Sequence, residues 1–171
     1  MKLVIASDLH GSAFWCGKLM ELIARENPQR VVLLGDLLYH GPRNDLPRGY
    51  APKEVIAMLS SIREKIVAVR GNCEAEVDQM VLPFPCMAGS GILECDGLRM
   101  YLTHGHHENP ANLPPLAPGD VFLSGHTHVK EDRMVEGVRC LNPGSVSIPK
   151  DGSHSCMVYR DGVFEFRILE E

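Results

Sequence analysis

The sequence predicts a single α/β domain that opens as a parallel βαβαβ unit and finishes as a mixed sheet. Three observations carry this. Lys2 to Ser7, Val31 to Leu34 and Lys65 to Arg70 are apolar runs without polar alternation, the pattern of strands covered on both faces. The segments between them carry apolar residues at helical spacing. After Cys86 the pattern changes to short β-rich runs, punctuated by Asp96-Gly97, Glu136-Gly137 and Asp161-Gly162, dipeptides suited to two-residue hairpin turns. With 171 residues, 44% of them hydrophobic, the chain suffices for one domain over 1–171 and falls short of two.

Each element follows in order. The first strand passes through Gly11-Ser12, with Ser12 as N-cap, into a helix bearing Leu19, Leu22 and Ile23 on one face and closed by Asn27-Pro28. The second ends at Gly35-Asp36 and opens a Gly/Pro-rich loop, Leu37 to Ala51, of a length that is often functional. A helix from Pro52 presents Val55, Ile56, Leu59 and Ile62 and leads to the third strand, which ends in Gly71-Asn72-Cys73-Glu74. Glu74 to Leu82 can form a short helix before Pro83 and Pro85 stop it. Strands over Arg99–Thr103 and Val121–Ser124 flank a Pro-rich surface loop. Val138 to Leu141 leads to Asn142-Pro143-Gly144-Ser145, and Ser155–Tyr159 with Val163–Leu169 form a final structural hairpin.

Composition narrows the partners. A net charge of −5 with scattered Lys and Arg gives no footprint for nucleic acid or an anionic membrane, so a small-molecule partner is expected. No apolar stretch approaches the ~20 residues of a membrane span, and Met1-Lys2 runs directly into a strand, which predicts a cytoplasmic protein. Six dispersed cysteines without a Cys-x-x-Cys pair read as reduced thiols. Oligomeric state is open, and a homo-oligomer is compatible.

Five strands each stop at a possible metal ligand: Asp8 and His10, Asp36, Asn72, His104, then His126 and His128. One such ending is ordinarily a cap or turn residue. Five at the carboxyl edge of a sheet, where ligands bind in open α/β folds, predict one site. Seven oxygen and nitrogen donors exceed one tetrahedral zinc and suit two divalent ions sharing a carboxylate. Donors of this kind, without thiolate, suit manganese, iron, zinc, nickel or cobalt, and do not choose among them. Two such ions, two carboxylates and a bridging hydroxide leave about one net positive charge, matching a phosphodiester, which that hydroxide would attack in line.

The motifs Asp8-x-His10, Gly35-Asp36, Gly71-Asn72, His104 and Gly125-His126-x-His128, in this order, resemble the signature of calcineurin-like metallophosphoesterases. His40-Gly41-Pro42-Arg43-Asn44, Arg70-Gly71-Asn72-Cys73, Leu102-Thr103-His104-Gly105-His106 and Asn142-Pro143-Gly144-Ser145 are similar to the small bacterial YfcE-type phosphodiesterases. The resemblance implies a four-layer αββα sandwich. It also implies one ion on Asp8, His10, Asp36 and His128 and another on Asp36, Asn72, His104 and His126. Asn72, Cys73 and His104 are then the candidate catalytic residues, and Arg43, Asn44 and Asn142 the candidate substrate contacts. Cys73 stands where many relatives have a histidine that protonates the leaving group, and nearby cations are expected to lower its thiol toward thiolate. The alternatives are a scaffold that kept the fold and lost catalysis, as in the related retromer subunit, and a metal-bound regulatory module. Retention of all seven donors favours an enzyme.

Overall fold

The structure, a computed structural model, describes residues 1–171. Its elements are β1 (Lys2–Ala6), α1 (Ala13–Glu26), β2 (Arg30–Leu33), α2 (Pro52–Ser61), a 3-10 turn at Arg63–Lys65, β3 (Ile66–Ala68), α3 (Glu76–Val81), β4 (Ser90–Cys95), β5 (Leu98–Thr103), β6 (Val121–Leu123), β7 (Lys130–Val135), β8 (Val138–Pro143), β9 (Ser155–Arg160) and β10 (Val163–Ile168). They form two five-stranded sheets, ordered β10-β9-β1-β2-β3 and β4-β5-β6-β8-β7. Within the first, β1, β2 and β3 are parallel, and β9 pairs antiparallel with β1. In the second, β5, β6 and β8 are parallel, with β4 and β7 antiparallel at the edges.

Local chemistry accounts for the element ends. Ser12 accepts from the Trp15 N–H (3.2 Å) to cap α1, and Asn27 closes the helix in the left-handed region, where asparagine is tolerated. Pro52 opens α2, where its missing N–H has no intrahelical partner to lose. All three predicted hairpin dipeptides join adjacent strands with both residues at positive φ, as a type I′ turn requires.

The uniform apolarity of β1 and β2 is explained by what lies on each side. Alternate residues Val4, Ala6, Val31 and Leu33 face α1 and α2 in a cluster of 21 buried residues. Their neighbours Leu3, Ile5, Val32 and Leu34 face Met100, Leu102, Leu123 and Leu141 of the second sheet in a cluster of 14. The outer face of the second sheet is covered by the Pro-rich loop, whose Leu113 and Leu116 pack on Phe122, Val138 and Cys140. The αββα sandwich is thus built with a loop as its outermost layer here, because four prolines between His104 and Asp120 disfavour a helix. All six cysteines are free thiols. No helix is long and apolar enough to cross a membrane.

Candidate metal centre

Parallel β1, β2 and β3 in one sheet, and β5 and β6 in the other, end at a common edge, so the loops leaving them meet there. Bonds between sheets lock the meeting. His104 Nδ1 faces the Leu34 carbonyl at 2.7 Å, and the His126 N–H donates to Asp8 Oδ2 at 3.0 Å. The glycines before the ligands exist for this close approach. A Cβ on Gly71 would overlap Asp36 Oδ1, and one on Gly125 would overlap the Ser7 hydroxyl.

Asp8, His10, Asp36, His126 and His128 all sit in the left-handed region, with φ between 45° and 66°. Such a backbone costs of order 1 to 3 kcal/mol at a non-glycine residue and persists only where the surroundings enforce it. Two clamps enforce it here. Glu74, buried, accepts from the N–H groups of Asp36 (2.8 Å), Leu37 (2.6 Å) and Gly71. Ser145 Oγ (2.9 Å), Ser147 Oγ (3.0 Å) and the Ser147 N–H (3.3 Å) donate to the Asp8 carbonyl.

The side chains form one connected cluster. Asp8 Oδ1 lies 3.2 Å from His128 Nε2 and 3.5 Å from His10 Nε2, and Asp36 Oδ2 lies 3.6 Å from His10 Nε2 and 3.4 Å from His104 Nε2. Asn72 Oδ1 is 3.0 Å from His104 Nε2. The His126 ring stands 5.1 Å from that of His104, centroid to centroid.

These atoms fit divalent cations. The Nδ1 atoms of His10, His104 and His128 each face a backbone carbonyl at 2.7 to 2.8 Å, so in the neutral rings Nδ1 carries the hydrogen and Nε2 turns a lone pair inward. His10 and His128 then point Nε2 lone pairs at each other across 3.3 Å, and Asp8 Oδ1, fully buried, accepts no well-formed hydrogen bond. Lone pairs converging in a buried space repel unless a proton or a metal ion stands among them. Without an ion, protons do so. Burial works against a charged His104, but its bond to Asp36 and the charges of Asp8 and Asp36 raise it to about 9. His10 is raised against the same burial by Asp8. Burial alone would raise Asp8 and Asp36, yet their histidine partners hold both carboxyls below the ordinary range. For His126, burial and then the charge of His104 lower the pKa.

The candidate substrate residues divide. Arg43 and Asn44 line a cavity of about 520 Å³ that opens over His10, Asp36, Asn72 and Cys73. Asn142 does not line it and is corrected from a substrate contact to a support. It is 1% exposed, its amide donates to the Gly125 carbonyl (2.7 Å) and Thr127 Oγ1 (3.1 Å), and its oxygen accepts from the Gly144 N–H. Both polar atoms of its side chain are thus already partnered inside the protein. Cys73 lies in the cavity, but burial, followed by the Asp36 carboxylate beside it, pushes its thiol upward from its usual value. The protein's own groups thus oppose the expected shift toward thiolate.

Sequence reasoning missed Glu74, Ser145, Ser147 and Lys150. Glu74 and Ser145 lie in the strand endings Gly71-Asn72-Cys73-Glu74 and Asn142-Pro143-Gly144-Ser145, but a clamp on backbone atoms leaves no spacing signal. Lys150 joins the cavity wall from far along the chain, its N–H donating to the His128 carbonyl at 2.9 Å.

Two stacked mixed sheets with an Asp, His and Asn cluster at their common edge define a metallophosphoesterase. The chain belongs to the calcineurin-like phosphoesterase superfamily, whose domain matches residues 1–161. It is 48% identical over 153 residues to phosphodiesterase YfcE of Escherichia coli K12, covering 90% of this chain and 83% of that protein. The solved structure of the E. coli phosphoesterase YfcE superimposes with a TM-score of 0.91 at 47% identity, covering 96% of this chain and 91% of that one. Phosphodiesterase MJ0936 of Methanocaldococcus jannaschii is 27% identical over 99% of this chain and 93% of its own length. Zinc-complexed Vps29 of Entamoeba histolytica, 17% identical with a TM-score of 0.56 and 98% coverage of both chains, shares the fold. Membership implies divalent metal ions, in keeping with the donor cluster.

Proposed function

We propose that this protein is a cytoplasmic phosphodiesterase that hydrolyses small phosphodiesters at a dinuclear metal centre. The observation that carries the reading is Asp36 Oδ2 standing 3.6 Å from His10 Nε2 and 3.4 Å from His104 Nε2, so that one carboxylate oxygen reaches a histidine of each donor set. Asp8, His10 and His128 would complete one ion's ligands, and Asn72, His104 and His126 the other's. When bound, divalent ions, manganese first among them, supply positive charge for the phosphate and lower the pKa of the attacking water.

The chain's own groups do the rest. The carbonyls of Tyr39, Leu34 and Ile148 fix the rings of His10, His104 and His128, so each Nε2 is aimed before any ligand arrives. Asn72 and Arg43 border the open side of the cluster, where a diester would be oriented. Cys73 stands at the same wall without an imidazole to protonate the departing oxygen.

The test is turnover of an aryl phosphodiester. Chelation and dialysis should abolish it, and manganese or a similar ion should restore it. Chelation should also lower the melting temperature, because an ion bound only by the folded state stabilises that state by mass action. Full activity in protein shown to be metal-free would refute the reading, and a metal-loaded but inactive protein would instead favour the scaffold.

A further inference from the structure

The cavity above the cluster carries more positive charge than a simple diester needs. Two divalent ions, the carboxylates Asp8 and Asp36 and the attacking hydroxide sum to about one positive charge, which one phosphodiester neutralises. Arg43 and Lys150 line the same cavity, and Asp36 is the only carboxylate in its wall. Neither makes an ion pair, in contrast to Arg48, which pairs with Glu171 at 2.7 Å, and Lys130, which pairs with Asp151 at 2.8 Å, though Arg25, Arg30, Lys53, Lys65 and Arg70 are likewise unpaired.

The backbone that carries each cation is tied to the site, while the side chains themselves are exposed. Residues 148 to 150 wrap His128, whose Nδ1 faces the Ile148 carbonyl at 2.7 Å while its own carbonyl accepts from the Lys150 N–H at 2.9 Å. Arg43 sits in a turn closed by Asn44, whose N–H donates to the Gly41 carbonyl (3.4 Å) and whose amide donates to the His40 carbonyl (2.8 Å). That turn abuts the metal loop, since a Cβ on Gly41 would lie 3.2 Å from Cys73 Sγ. About 520 Å³ is room for a phosphate with a substantial arm.

We propose that Arg43 and Lys150 form a second anion subsite, and that the favoured substrates are diesters bearing a further anionic oxyacid group on one ester arm. This rests on the phosphodiesterase reading and names its substrate class. The charge-assisted contacts would be made by the arm rather than at the reacting phosphorus, so they should act on KM.

The experiment compares two p-nitrophenyl phosphodiesters on the manganese-loaded protein, one with a 2-sulfoethyl arm and one with a propyl arm. Wild type should prefer the sulfoethyl diester at least tenfold in kcat/KM, through KM, and the preference should shrink as salt is raised. Arg43→Gln and Lys150→Gln should each reduce the ratio, and the double variant should bring it to about one. The product 2-sulfoethyl phosphate should raise the wild-type melting temperature more than propyl phosphate does, and the double variant should lose that difference. Hydrolysis of both diesters without preference would overturn the subsite and leave the phosphodiesterase standing. A loss in kcat shared equally by both diesters would overturn it too, placing the cations on the reacting phosphate. Hydrolysis of neither diester would refute both proposals.

Discussion

At the scale of single residues, the proposed bridge makes Asp36 different from every other ligand. Asp36→Asn keeps its shape but removes a charge next to two imidazoles, so metal occupancy and turnover should fall together. His104→Ala touches one donor set, and metal analysis should find partial stoichiometry with little turnover. Full, equal occupancy in both variants would overturn the shared role of Asp36. Cys73 poses a separate question. In the metal-free protein burial and then Asp36 push the thiol upward, away from the near-neutral range that suits a general acid, and a thiolate could not donate at all. Either way the leaving oxygen receives little help, which forgoes much of a factor of typically ~10² to 10⁴. Diesters with acidic, phenol-like leaving groups should therefore react well and alkyl ones poorly. Cys73→Ala should change this dependence little, whereas Cys73→His should flatten it. A loss in Cys73→Ala confined to poor leaving groups would instead make the thiol a working acid.

At the scale of elements, the site depends on loops held in an unfavourable backbone by parts of the chain far away in sequence. The Asp8 carbonyl is gripped by Ser145 and Ser147, more than 130 residues later, and the buried Glu74 ties the loop after β3 to the loop after β2. Each neutral hydrogen bond contributes about 1 kcal/mol net. The Ser145 hydroxyl also accepts from the Ile148 N–H, so Ser145→Ala with Ser147→Ala removes three such bonds and should lower stability by about 3 kcal/mol. It should weaken metal binding as well, because Asp8 is freed to relax from its positive φ. Calorimetric titration with manganese would measure this. Unchanged metal affinity in a destabilised but folded double variant would show that the clamp supports the fold alone. The ligand residues themselves were legible, because buried strands end abruptly at polar groups. The hairpin turns were legible because their dipeptides require positive φ. The clamps were not, since a serine bonding a distant carbonyl looks like any loop serine, and Asn142 showed only a polar residue after a strand.

At the scale of the whole molecule, the sequence indicated parallel strands first and mixed sheet later, but not that β9 would pair with β1. That pairing sews the chain's last hairpin onto its first strand, and it depends on which apolar faces match, information that no local pattern holds. The closed sandwich brings carboxylates and imidazoles into one buried cluster, so its protonation and its stability are linked. The pKa of His104 stands at about 9 against an ordinary 6.5, so its stabilising charge is fully present below 6.5 and is lost as pH rises through 9. Asp8 and Asp36 lie below their ordinary 3.8, so their contribution is present above that value and disappears as pH falls below it. Metal-free protein should thus be most stable between these limits and weaken toward pH 9. An ion must displace the His104 proton to bind Nε2, so the apparent metal affinity should rise with pH by up to about tenfold per unit for each proton released, and level off above 9. The two trends combine. The drop in melting temperature caused by chelation should be small at pH 6 and large at pH 9, and calorimetry in two buffers of different ionisation enthalpy should detect the released protons. A chelation effect that stays constant from pH 6 to 9, with no proton release, would show that the imidazoles do not exchange protons for metal.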